Sequence, residues 1–144
     1  ADTTLHPRRQ FRNVVAEQKL DVDVYLGKQF SRTDQMAHKY IADVDGFART
    51  WDAWAWKMMS GSTVLSVASP WESFFSRAFQ PWEHFVPVAN DCTDLAQKLQ
   101  WCRDNDSECE AIAQRARAQA MRVYDPVVVA DELLANLRRR LSGG

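Results

Sequence analysis

The sequence predicts an α/β protein: a Rossmann-like parallel sheet of about four strands flanked by helices, with residues 1–144 forming one domain. Three observations carry that expectation. Short runs rich in β-branched residues alternate with stretches of helical spacing, the order of a parallel sheet covered on both faces. The strand-like runs stop at turn signals, Gly27 and Asp45-Gly46 among them. The length of 144 residues, 46% hydrophobic, suits one core that buries roughly 68–70% of the unfolded surface.

Each element has a local cause. Pro7 fits the first turn of a helix, with Thr3 or Thr4 as caps, and Phe11, Val14, Val15 and Gln18 continue at helical spacing. Residues 21–26 read as a first short strand and residues 28–37 as a polar loop. Residues 39–46 form a second strand, closed by Asp45-Gly46. A run without Gly or Pro from Trp51 to Met59 is a helix stopped by Ser60-Gly61, whose glycine suits a left-handed cap. Residues 62–67 follow as a third strand. Pro70-Trp71, capped by Ser69, opens a short helix to about Phe79. Residues 84–88 are a fourth strand, which the internal Pro87 demotes to an edge or a strand end. Helices then cover 93–103, 107–124 and 126–141, with Asn105-Asp106-Ser107 as a break.

Composition narrows the function. Eighteen basic against nineteen acidic side chains give a net charge of −1, with no excess of positive charge for nucleic acid. No apolar run is long enough for a transmembrane segment or a signal-peptide core. Cys92, Cys102 and Cys109 are an odd set that reads as buried free thiols, and the scattered His6, His38 and His84 offer no zinc pattern. Six Trp occur, five of them between Trp51 and Trp82. Core packing is their default role, with stacking on a base or a sugar as the alternative. The chain starts at Ala1, which suggests a piece of something longer.

Ligands in such sheets bind beyond the carboxyl ends of the strands, often at helix N-termini. This directs attention to the segments after Val44, Val67 and Val88. After Val44, Asp45, Gly46, Arg49 and Thr50 lead into the helix that contains Lys57. Backbone amides, the helix dipole and an arginine fork suit a phosphate there, while a plain capped helix with Arg49 in solvent is the bland alternative. Ser60 and Gly61 form the next turn. Thr3, Thr4, Arg8 and Arg9 place hydroxyls and guanidinium groups at a helix start, a second candidate anion site against the alternative of solvated charges. No Ser-His-Asp, Cys-His or HExxH arrangement is present, and Asp21-Val22-Asp23 is a weak match to an Asp-x-Asp metal motif.

Taken together, Lys39 to Gly46, Trp51 to Leu65, Ser69 to Phe75 and Gln80 to Val88 resemble glycosyltransferase family 90, the capsule-associated, lipopolysaccharide-modifying and Rumi-type protein O-glucosyltransferases. The most specific match is Pro81-Trp82-Glu83-His84-Phe85-Val86-Pro87, which lies within thirty residues of Ser60-Gly61-Ser62. Asp94-Leu95 and the stretch from Trp101 to Asp106 resemble the helix that comes next in the family. The resemblance implies the C-terminal, donor-binding half of a GT-B transferase. It makes Thr3, Thr4 and Arg9, with Arg8 as an alternative, the counterparts of residues that hold the donor diphosphate.

By the same resemblance the donor is expected to be a UDP-sugar, the transferred group a hexose or pentose, and the acceptor a hydroxyl of a glycan, lipopolysaccharide or protein. No cofactor or metal is expected. Relatives carry an arginine where Ala53 or Trp54 stands, and either Arg49 or Lys57 is available in its place. The acceptor half and its general base are expected outside this chain, so no catalytic residue is assigned and the isolated chain is expected to be inactive. The expected location is cytoplasmic, peripheral to a membrane, or the endoplasmic reticulum lumen in a eukaryote. A bare inter-domain face would favour a homodimer. Two other readings stay open: a non-catalytic nucleotide-binding or interaction module of the same fold, and a flavodoxin-like phosphate binder.

Overall fold

A computed structural model of the chain describes residues 6–24, 31–50 and 52–142. Its elements run α1 (Pro7–Glu17), α2 (Arg32–Met36), β1 (Tyr40–Asp43), α3 (Asp52–Met59), β2 (Thr63–Val67), a 3-10 turn (Ser76–Ala78), β3 (Val86–Val88), α4 (Leu95–Asp104), α5 (Asp106–Val123) and α6 (Pro126–Ser142). Among the described residues the sheet has three strands in the order β1-β2-β3, all parallel. Ile41 pairs with Val64, and Leu65 pairs with Val86. β2 lies between the other two and every one of its residues is buried, as its run Thr-Val-Leu-Ser-Val permits. β3 carries Pro87 on an edge, where the missing N–H costs no ladder bond.

The alternation of side chains along β2 divides the core in two. Leu65 and Val67 face one cluster with Phe11 and Val15 of α1, Leu95 and Cys102 of α4, and Cys109 and Ile112 of α5. Val64 faces the other cluster, with Trp54 and Met58 of α3, Phe79, and Ala116 and Ala120 of α5. The two alanines lie one turn apart on α5 and let it pack closely against α3. Trp54 meets Phe79 and Phe85 edge-to-face at ring separations of 5.6 and 5.5 Å, contacts worth about 0.5–1.5 kcal/mol each beyond burial.

Side chains tie the amino ends of the strands to the α4–α5 elbow. Tyr40 donates its hydroxyl to the Cys102 carbonyl at 3.2 Å, Thr63 donates to the Cys109 carbonyl at 2.9 Å, and Lys39 pairs with Asp106. The elbow sits at Asn105, as its sequence suggests, and the Asn105 side-chain amide donates to the Trp101 carbonyl at 2.8 Å. Cys92, Cys102 and Cys109 are all free and buried, as expected.

Four expectations need correction. Thr3 and Thr4 lie outside the described residues, and α1 begins at Pro7 with His6 as a cap that makes no side-chain bond. Residues 21–24 are not a strand: Asp21 and Asp23 are exposed, Asp23 bonds His38 at 3.2 Å, and Val22 and Val24 pack on the core without joining the ladder. Tyr25 and Leu26 of the same expected strand lie outside the described residues.

The third correction is α2, where a loop was expected. Ser31 and Asp34 form a reciprocal capping box, an S-x-x-D signal present in the sequence. The fourth is the expected helix after Pro70, of which only the 3-10 turn exists. Ser69 accepts from the Trp71 amide at 3.0 Å, and Ser73 and Ser76 exchange backbone-to-hydroxyl bonds of 2.9 and 3.1 Å. These serines offer the backbone local partners that compete with a helix. No helix among the described residues is long and apolar enough to cross a membrane.

Candidate functional site

At its carboxyl end β1 places Ile41 and Asp43 on one face, two residues apart, and Asp43 is fully buried. A buried carboxylate must be paired and hydrogen-bonded to persist. Asp43 accepts from Thr50 Oγ1 at 2.9 and 3.0 Å, from Lys57 Nζ at 3.0 Å and, more loosely, from the Arg49 guanidinium at 3.3 Å. Lys57 reaches back from the last turn of α3 and also donates to the Ala42 carbonyl at 2.9 Å. Arg49 has a second partner in Asp45 Oδ1 at 3.3 Å, which also accepts the Thr50 amide at 3.2 Å. Two carboxylates and two cations therefore balance in a nearly dry pocket. Asp45 Oδ2 and Trp54 Nε1 are buried there without a hydrogen-bond partner among the described residues.

Aromatic groups close the pocket. The Arg49 guanidinium lies over the Trp54 ring at 4.3 Å, a cation–π contact strengthened by the loss of water. Burial pushes the Tyr124 hydroxyl up to about 12; the Asp43 charge acts in the same direction and Arg49 opposes it. Phe75 covers the Tyr124 ring at 4.7 Å.

Arg8 stands outside this pocket. It is exposed, donates Nε to the Val44 carbonyl at 3.4 Å, and its guanidinium lies 3.5 Å from where a Cβ on Gly46 would sit. A Cβ there would meet the guanidinium in ordinary van der Waals contact, so Arg8 packs directly over the turn at the end of β1. Arg9, also exposed, follows in the first turn of α1. Both line a cleft of about 1070 Å³ that runs along the outer side of β1, with Phe47, Trp56, Lys57 and Arg103 also on its walls. That is ample for a nucleotide-sized ligand.

The structure thus sorts the residues singled out from sequence. Arg8 and Arg9 both line the cleft and Arg8 lies beside Gly46, while Asp45, Arg49, Thr50 and Lys57 form the buried network, from which Lys57 also reaches the cleft wall. Thr50 gives its hydroxyl to Asp43, and Arg49 is not in solvent. Ser60 and Gly61 are not brought to this group. α3 carries the chain to the amino end of β2, where Ser60 donates to the Lys57 carbonyl at 2.6 Å and accepts the Ser62 amide at 3.0 Å. Gly61 there has φ +83°, the left-handed cap its sequence position suggests. Those two residues line a separate depression of about 470 Å³. Sequence reasoning gave Asp43 no role, although a lone carboxylate facing inward from a β-branched strand was the available signal. It missed Tyr124 altogether, because nothing local links the end of α5 to β1.

Comparison with known proteins agrees with this architecture. The glycosyl transferase family 90 model matches residues 9–127. An uncharacterized protein, 179R, of Invertebrate iridescent virus 6 is 38% identical over 90 residues, 58% of this chain and 8% of that protein. Human protein O-glucosyltransferase 3 is 32% identical over 93 residues, 65% of this chain and 18% of that protein. Zebrafish (Danio rerio) protein O-glucosyltransferase 2 is 33% identical over 97 residues, 66% of this chain and 19% of that enzyme. The chain therefore spans less than a fifth of the length of these relatives. Among solved structures, sucrose-phosphate synthase from Thermosynechococcus elongatus superposes with a TM-score of 0.61 at 15% identity, covering 94% of this chain and 35% of that one. That likeness carries the fold, and the family match extends from Arg9 in α1, through the β1 network, to the start of α6: the chain belongs to glycosyl transferase family 90.

Proposed function

We propose that the chain is the donor-binding portion of a transferase that moves glucose from UDP-glucose to a protein hydroxyl. The single observation behind this reading is the family match, which spans the β1 network and the adjacent cleft. The relatives named protein O-glucosyltransferase support glucose and a protein acceptor.

In this reading Arg8 and Arg9 hold the diphosphate at the mouth of the cleft. Each supplies a guanidinium fork to oxygens whose charge grows as the glycosyl bond breaks. Charge neutralisation falls to these side chains rather than to a bound cation. Arg49 and Lys57 take no direct part. Paired with Asp43 and Asp45, they fix the loop after β1 against which Arg8 lies. The base that deprotonates the acceptor comes from elsewhere in a longer polypeptide, and that half also excludes water from the transfer. Free buried thiols suit a reducing compartment such as the cytoplasm.

Calorimetric titration with UDP tests the assignment. Arg8→Ala and Arg9→Ala should each weaken binding several-fold while leaving thermal unfolding unchanged. Arg49→Ala should lower the unfolding temperature first. Unchanged UDP affinity in the Arg8→Ala/Arg9→Ala double variant overturns the diphosphate site. UDP binding without any glucose transfer, even by a longer polypeptide with an acceptor, points instead to a non-catalytic module.

A further inference from the structure

α6 carries no buried residue along its whole length. Its only half-buried side chains are Val128, Val129 and Asn136, which mark the side turned toward the rest of the protein. Val127, Ala130, Leu134, Leu137 and Leu141 recur at spacings of three and four residues, the pattern of a helix-pairing seam. At about 100° per residue that seam lies roughly 160° around the helix from the half-buried side, so it faces away from the body. Val127 is 68% exposed, Leu134 51%, Leu137 56% and Leu141 82%. A stripe of this length left in water marks an interaction surface.

Charge selects the occupant. Asp131 and Arg138 flank the seam on the same side, two turns apart, and neither forms an ion pair with another described residue. In an antiparallel pairing of two identical helices, flanks of the same kind face one another. A two-fold axis near Leu134 and Ala135 then sets Asp131 opposite the second copy's arginine at the same flank, twice by symmetry. It also sets Leu134 against the second copy's seam and opposes the two helix dipoles. A parallel pairing would instead set this flank against the opposite one, which carries Leu133 and Arg140 and offers Arg138 no acidic partner. We infer that α6 is a self-association helix, whose seam is covered by the α6 of a second copy running antiparallel.

Sedimentation equilibrium of the full 144-residue chain over about a hundred-fold concentration range tests this at the low end of interface size. The expected result is a reversible monomer–dimer equilibrium. Leu134→Glu/Leu137→Glu should abolish it without lowering the unfolding midpoint, because both side chains are exposed in the single chain. Asp131→Arg should weaken dimerisation at least about five-fold by placing cations opposite one another twice. The swap Asp131→Arg/Arg138→Asp should restore it. A monomer at every concentration overturns the inference and leaves the seam to another segment or protein. A dimer that survives Leu134→Glu/Leu137→Glu, or a swap that restores nothing, overturns it as well.

Discussion

Asp43 and Lys57 are joined by a 3.0 Å ion pair across the first strand–helix unit, with the lysine side chain 8% exposed and the aspartate fully buried. Removing one partner leaves the other charged in a dry site, which costs about 3–5 kcal/mol. Lys57→Met should cost about 3 kcal/mol, the low end of that range, because Arg49 and Thr50 still bond Asp43. Urea unfolding measures it. Asp43→Asn/Lys57→Met should recover part of the loss, and strict additivity of the two single variants would show that the pair is not coupled.

Trp54 and Trp71 belong to the same tryptophan-rich stretch and should respond differently. Trp54 is 1% exposed and packs against Phe79, Phe85 and the Arg49 guanidinium. Trp54→Ala should destabilise by about 3–5 kcal/mol. Trp71 is 58% exposed, and Trp71→Ala should change stability by less than about 0.5 kcal/mol. Equal effects in thermal unfolding would contradict the division between core and surface tryptophan.

His84 makes the fold sensitive to mild acid. Burial lowers its pKa from 6.5, and its Nδ1 accepts the Gln80 amide at 2.9 Å, which requires the nitrogen to be unprotonated. Because the folded pKa lies below the unfolded one, the stabilisation is complete above pH 6.5 and is lost as pH falls through the folded value. Unfolding free energy measured at successive pH values should decline below pH 6.5. His84→Asn, which keeps an acceptor without a titrating proton, should flatten that decline.

The three thiols should be silent in the native protein. Burial raises Cys92 to about 11 and Cys102 to about 12, and it raises Cys109 as well. Thiolate is the reactive form, so Ellman's reagent near neutral pH should find almost none until the chain unfolds, and then all three. The linkage runs the other way from His84. Folded values above the ordinary 9.0 stabilise below that pH, and the contribution is lost as pH rises through them.

Much of this molecule is legible from its residues alone. The strands at Tyr40–Asp43, Thr63–Val67 and Val86–Val88 announce themselves by β-branched runs and flanking turn residues. The edge position of β3 follows from Pro87 alone. Two features mislead. Residues 21–24 alternate like a strand, yet alternation records only that one side is apolar, and Val22 and Val24 satisfy that from an irregular segment. The stretch after Pro70 has helical spacing, but its serines find partners nearer than four residues away. In the candidate site, the arginines at positions 49 and 8 look alike in sequence. Only the buried Asp43, whose pairing depends on chain crossings fourteen residues apart, decides which of them turns inward.

The tethers from Tyr40 and Thr63 to the α4–α5 elbow have a consequence for how such a domain changes over time. They clamp the sheet at the end opposite the buried Asp43 network. Loops at the carboxyl ends of the strands can therefore be rewritten, residue by residue, without disturbing the clamp that keeps the strands in register. A new specificity, for whatever ligand the cleft takes, is a matter of changing one rim. The other rim is the domain's fixed inheritance.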